Sequence, residues 1–162
     1  MTELATPLQR TVPATHGLII VNCSREKLVT SAPIPALDLY QGACVPRLRS
    51  QFGDDPAHRA RIRILSAAHG LLRPDDPVAT YDRRLRTATQ AEELERQLVG
   101  DQLDDELAAS PSLSHVLVIV EPLYLRALQR LFEHMARLKL VCIPDPWAWQ
   151  DGLLELRHWG WA

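Results

Sequence analysis

Two stretches of this sequence are apolar at almost every position, Gly17-Leu-Ile-Ile-Val-Asn22 and His115-Val-Leu-Val-Ile-Val120, and they constrain the fold more than any other feature. A strand that faces water on one side alternates apolar with polar residues. A short continuous apolar run instead fits a strand buried on both faces of a parallel sheet. Arg61 to Leu65, alternating polar with β-branched or leucine residues, reads as a strand entering the core, and Lys139-Leu-Val-Cys-Ile143 as a fourth. The alternation of these strands with helical segments predicts an α/β fold: a single domain with a mostly parallel, Rossmann-like sheet flanked by helices.

The connecting segments carry recognisable helix signals. A helix is expected to start near Ala43, with Pro46 in its first turn, and to end at Gly53-Asp54-Asp55-Pro56, followed by a polar His58-Arg59 segment. Ala91, Leu94 and Leu98 recur at helical spacing, and Gly100 is read as an interruption before Leu103 and Leu107 resume the stripe. Ser110 to Ser114 is a turn, and Glu121-Pro122 opens a helix whose buried face holds Leu125, Leu128, Leu131 and Phe132. Residues 1–15 read as a loose lead-in, which leaves 16–162 as the α/β domain. The tail from Pro144 to Ala162 holds all four tryptophans without a clear period. It either closes over a sheet edge or forms a surface through which the chain pairs as a homo-oligomer.

Composition sets the broad class. At 162 residues, 46% hydrophobic and 23% charged, the chain is long enough for one well-filled core. A net charge of −2 gives no global nucleic-acid footprint, so any such contact must come from a local patch. No apolar run reaches membrane-spanning length and no signal-peptide order is present, so no membrane association is expected. Three cysteines, odd in number and without metal-like pairing, point to a reducing, cytoplasmic setting. No metal or other cofactor is expected.

In open parallel sheets, ligands bind beyond the carboxyl ends of the strands. Three such ends carry reactive side chains: Cys23, Ser24 and Lys27; Ser66, His69 and Gly70; Glu121 and Tyr124. Cys23 can serve as a nucleophile once ionised, and a nearby lysine favours the thiolate. The bland alternative is a small core thiol, as for Cys44 and Cys142. Lys27 can hold a phosphate or stabilise an oxyanion. Ser24 and Ser66 offer hydroxyls either to a ligand or to their own turns. His69 is a general acid or base, or a structural histidine. Gly70 marks a backbone that a ligand approaches closely, or a tight turn anchored by Leu71 and Leu72. Asp75 and Asp76, held between Pro74 and Pro77, read as a solvated loop rather than metal ligands. Tyr81 can stack on a base and Asp82 can read a base edge, while Arg83, Arg84 and Arg86 form a local basic patch suited to phosphates or nucleic acid. Glu121 is the candidate carboxylate for stabilising a sugar cation, or else a purely structural helix cap.

The residues also carry a family resemblance. Cys23-Ser24-x-x-Lys27, Leu39-Tyr40-x-Gly42, Leu65-Ser66-Ala67-x-His69-Gly70-Leu71-Leu72 and Tyr81-Asp82-x-x-Leu85 occur in the order seen in the YaaA-like family of bacterial and phage proteins. Glu121-Pro-Leu-Tyr124 resembles a later Glu-Tyr of that family, which places a tyrosine where His69 stands. The Cys-Ser-x-x-Lys turn is similar, more distantly, to the Cys-Ser-x-Lys motif of archaeosine synthases, with Asn22 in place of a proline and Leu28 in place of a second lysine. What the resemblance implies is a nucleotide-, nucleoside- or nucleobase-processing enzyme performing N-glycosidic cleavage, base exchange or base modification. Cys23, Lys27 and Glu121 would be catalytic, and Ser24, Ser66, His69, Gly70, Tyr81, Asp82 and Tyr124 would bind substrate. The alternative is a non-catalytic nucleotide or nucleic-acid binding protein of the YaaA stress-response type.

Overall fold

A computed structural model describes residues 11–162. The first ten residues of the expected lead-in lie outside the described residues. In chain order the strands are β1 (Gly17–Asn22), β2 (Ile34–Pro35), β3 (Ile62–Ser66), β4 (Gly70–Leu72), β5 (Pro77–Val78), β6 (His115–Ile119) and β7 (Lys139–Ile143). Five of them make the central sheet in the order β4-β3-β1-β6-β7, and β2 pairs with β5 in a small antiparallel ribbon. All contacts among β3, β1, β6 and β7 are parallel; only β4 runs against its neighbour. The structure is thus the mixed α/β fold with a mostly parallel sheet.

Burial explains the apolar runs. Every residue of β1 is buried, because β1 is the central strand, with Val21 paired to Ile64 on one side and Ile119 on the other. Edge strand β7 is only half-buried.

Helices fill the connections. After β1 come α1 (Ala36–Leu39), α2 (Val45–Phe52) and α3 (Pro56–Arg59). After β5 come α4 (Ala88–Leu94) and, through one π-helical turn at Glu95–Val99, α5 (Gly100–Ala109). Then follow α6 (Pro122–Leu125), a 3-10 turn at Arg126–Leu128, α7 (Gln129–Phe132) and, after β7, α8 (Trp149–His158).

Several expectations are corrected. Helix α2 starts at Val45, not near Ala43, because Ala43 has φ 54°, a left-handed conformation that no α-helix contains. The His58-Arg59 segment is the helical turn α3, whose N-cap Asp55 accepts from the His58 amide. Leu71 and Leu72 do more than anchor a turn: Gly70, at φ 67°, closes a tight hairpin and they form the edge strand β4. Gly100 does not break its helix; the backbone widens into the π turn and resumes, and a side chain there would press on Arg130.

The largest correction is the tail, which contains α8 although its sequence shows no clear period. Gly152 lets α8 lie directly on β6, since a Cβ there would come within 2.5 Å of Ile119 Cδ1. Trp159 and Trp161 turn back under the sheet. Trp161 Nε1 donates to Val12 O at 2.7 Å, its ring meets those of Trp159, His58 and Phe52 edge-on, and Gly17 at the start of β1 packs against it. Val12 in turn donates its amide to Trp159 O, so residues 11–15 of the expected lead-in are fastened down. Trp149, Trp159 and Trp161 are therefore buried within the chain, and of the tail's tryptophans Trp147 is the one left exposed. No helix among the described residues is long and apolar enough to cross a membrane.

This assignment of the tail has a measurable consequence. Trp161→Ala removes a buried ring and one hydrogen bond, and should cost about 3–5 kcal/mol in urea unfolding, with the midpoint falling at unchanged slope. A loss under about 1 kcal/mol would mean that the tail is not core.

Candidate functional site

The strand order places the site. Among the parallel strands the chain steps from β1 outward to β3, then returns across β1 to β6 and β7, so the direction of winding reverses between β1 and β6. At such a reversal the two crossovers diverge and leave a crevice at the carboxyl ends. β1 ends in Asn22-Cys23-Ser24 and β6 in Val120-Glu121, and a cleft of about 360 Å³ opens there. Asn22 joins the two ends: its Oδ1 accepts from the Glu121 amide at 2.8 Å while its Nδ2 donates to Cys23 O at 3.2 Å.

Of the expected site residues, Cys23, Ser24, Lys27, Asp82, Glu121 and Tyr124 all line this cleft, although they span a hundred positions of sequence. Asn22, Arg25, Arg83, Arg84 and Arg86 complete the lining. Five cations thus face two carboxylates, on a chain whose net charge is −2. Among the described residues, none of these five has a carboxylate oxygen within 4 Å; the same holds for Arg47, Arg49, Arg61, Arg96, Arg137, Lys139 and Arg157 elsewhere, so it is the gathering of five in one place that marks the cleft. A concentration of unpaired cations in one concavity suits an anionic ligand.

The Cys23–Lys27 loop is held rigidly. Ser24 Oγ donates to Glu26 O at 2.6 Å and accepts from the Gly42 amide at 3.1 Å. Lys27 bridges antiparallel to Tyr40, and the Gln41 amide donates to Glu26 O. Gly42 is required by this approach: a side chain there would run into the Glu26 carboxylate and stand 3.0 Å from Ser24 Cβ. Ser24 is therefore a loop-forming serine whose hydroxyl is already occupied, though it sits in the cleft wall.

Ser66, expected to contact ligand, is fully buried instead. Its oxygen accepts from the amides of Ala68 and His69, so its proton goes to Tyr81 Oη at 2.6 Å. Tyr40 Oη lies 2.6 Å from Tyr81 Oη on the other side. Ser66, Tyr81 and Tyr40 thus form one chain of hydroxyls, with 2.6 Å between oxygens at each step. Tyr81, expected to contact a ligand, thus stands outside the lining, with a committed hydroxyl rather than a free stacking ring. Lys27 Nζ covers its ring, 4.6 Å from the centroid.

Tyr124 mirrors Tyr81. Its Oη accepts from the Leu85 amide at 3.2 Å, tying the arginine segment to α6, and lies 3.8 Å from Cys23 Sγ. Burial pushes the Cys23 thiol up, opposed by the Ala67 amide, the Tyr124 hydroxyl, the Lys27 charge and the Tyr81 hydroxyl. Burial also raises Tyr81 and Tyr124, and carries Tyr40 up to about 12, so all three hydroxyls keep their protons and remain donors. The site holds a neutral thiol with donors already aimed at the thiolate it can become.

His69 and Gly70 fall away from the cleft. His69 is exposed and meets Tyr81 edge-on with centroids 5.0 Å apart, outside the lining. A side chain at Gly70 would collide with Gln102 and Leu98 of the helix behind it, so the glycine serves the hairpin and its packing, not ligand approach. Asp75 pairs with Arg59 at 2.6 Å and Asp76 accepts from the Arg73 amide, which makes this loop structural. Among the described residues no group of three or more His, Cys, Asp or Glu is placed to hold a metal ion. The sequence reading missed Asn22 and Arg25; the signal for Asn22 was a lone amide ending an otherwise apolar strand.

Fold and site define a Rossmann-like α/β protein with a cation-lined cleft at the topological switch point. The chain belongs to DUF6884, a family of unknown function whose model matches residues 18–141. No curated protein and no solved structure matches it.

The electrostatics of Cys23 can be checked without knowing a substrate. Alkylation of Cys23 by iodoacetamide, followed peptide by peptide in a mass spectrometer, should rise with a midpoint above the ordinary thiol value of about 8.5. Tyr124→Phe removes a donor to the thiolate and should shift that midpoint further up. An unshifted midpoint in this variant would contradict the assigned hydrogen bond.

Proposed function

We propose that this protein is an enzyme acting on a nucleotide, nucleoside or modified nucleobase at the cleft between the ends of β1 and β6. The observation that carries this reading is the meeting of Cys23 and Glu121 with five unpaired cations in one cleft at the switch point. The cations fit the phosphate of a nucleotide, and the resemblance of the Cys23–Lys27, Ser66–Leu72 and Tyr81–Leu85 segments to the YaaA-like family points to the same substrate class.

N-glycosidic chemistry uses these groups well. The bond between the sugar C1′ and the base nitrogen breaks with its electron pair leaving on the base. The Glu121 carboxylate stabilises the sugar cation that remains, and water or a second base completes the reaction at C1′. Cys23 supplies a nucleophile in the alternative where the base itself is attacked: the sulfur adds to a ring carbon of a C=N bond, the π pair moves onto the nitrogen, and that nitrogen takes the thiol proton. Arg83, Arg84 and Arg86 hold the phosphate, and Lys27, fixed over Tyr81, adds charge beside the sulfur.

A second reading, binding without turnover, draws on the raised Cys23 thiol and on the occupied hydroxyls of Ser24, Ser66 and Tyr81. Incubation with a panel of nucleosides and nucleoside 5′-monophosphates, with chromatography for released or altered base, separates the two. The expected result is turnover that Glu121→Gln lowers by at least about 100-fold, as removal of a transition-state charge does. Binding across the panel with no product, and equal affinity in Glu121→Gln and Cys23→Ala, would establish the binding reading instead.

A further inference from the structure

Resting on the nucleotide reading above, we infer that a side groove running from the cleft to Trp147 is the subsite for the nucleobase, with Trp147 as its stacking platform. The groove, about 130 Å³, shares Cys23, Ser24, Arg25 and Glu121 with the main cleft and continues past Glu26 to Pro146 and Trp147.

Trp147 is the exception among the tryptophans. The other three are at most 9% exposed, whereas Trp147 is 63% exposed. Its placement is nonetheless rigid. The Trp147 amide donates to Asp145 Oδ1 at 2.9 Å, the Trp149 amide returns to Trp147 O, and the carbonyl of Pro146 accepts from Cys44 Sγ at 3.2 Å. The indole edge also stands over Gly42, where a Cβ would lie 3.2 Å from Trp147 Cη2. A large ring held fast yet left open to solvent beside a polar cleft is what base stacking needs: a flat apolar face with little entropy left to lose. Glu26 lies in the same groove without a cationic partner among the described residues, and its carboxylate can accept from the N–H groups of a base edge. The left-handed Ala43 lines the groove as well, and such backbone conformations gather at ligand sites.

The two halves together fix how a ligand lies. A phosphate at Arg83, Arg84 and Arg86 and a base on Trp147 place the sugar at the junction of cleft and groove, where Cys23 and Glu121 are shared by both. The glycosidic bond then falls beside the two groups proposed to act on it. Trp147 lies outside the residues 18–141 matched by the family model.

The test uses the intact protein, with nucleoside 5′-monophosphates and ribose 5-phosphate as probes, read by calorimetry and tryptophan emission. The expected result is that at least one nucleotide binds about tenfold or more tighter than ribose 5-phosphate and quenches emission. Trp147→Ala should abolish that preference and leave ribose 5-phosphate binding unchanged, while Trp147→Phe should keep most of it. Because the side chain is exposed, thermal unfolding of both variants should match the parent. Equal binding of nucleotides and ribose 5-phosphate, or a preference that survives in Trp147→Ala, would overturn the base subsite. In that case the phosphate cleft stands if Arg83→Ala and Arg84→Ala weaken both probes. No binding of either probe would remove the nucleotide reading and the subsite together.

Discussion

The hydrogen bonds of Asn22 hold the ends of β1 and β6 in one register, and the site depends on that register. At a switch point the sheet has no connection to close the gap between two neighbouring strand ends, because the chain leaves them in opposite directions. Each end carries a reactive residue, Cys23 from one and Glu121 from the other. An amide side chain that accepts from one strand's backbone and donates to the other's fixes their relative height. A serine or alanine at position 22 would leave the Glu121 amide without this partner in a half-buried position, at a cost on the order of 1–3 kcal/mol.

Around that join, polar side chains are arranged in depth. Ser66 and Tyr40, both fully buried, orient Tyr81, while the Leu85 amide orients Tyr124. The Tyr124 hydroxyl then meets the Cys23 sulfur. Such a network is expensive to bury unless its polar atoms find partners, and each of these hydroxyls has at least one. Its effect, together with burial, is a Cys23 thiol that keeps its proton at rest with the Tyr124 hydroxyl beside it. The unpaired arginines above it supply the opposite property, a standing attraction for negative charge.

The sheet was legible in the sequence because both-face burial removes polar residues from parallel strands, and the four parallel strands were found within a residue or so of their ends. What escaped were features that tertiary contacts create. The strand β4 is three residues long, too short for any periodicity, and exists because Gly70 turns the chain back on β3. Helix α8 hid behind tryptophans whose burial depends on Val12 and Gly17 at the other end of the chain. In the site, strand ends were readable, and the structure brings Cys23, Lys27, Glu121 and Tyr124 from those ends to one cleft. Hydroxyl partnerships are not readable in this way: Ser66 and Tyr81 bond each other and Tyr40, and Gly70 packs against the helix behind it. Trp147 could not be told from its three buried counterparts by residue type alone.

The most direct measurement is a crystal structure of the protein soaked with a nucleoside 5′-monophosphate. The account predicts ordered density in the cleft between the ends of β1 and β6, with phosphate oxygens in hydrogen-bonding reach of Arg83, Arg84 or Arg86 and the sugar beside Cys23 and Glu121. A nucleotide ordered elsewhere on the molecule, with this cleft filled only by solvent, would contradict it.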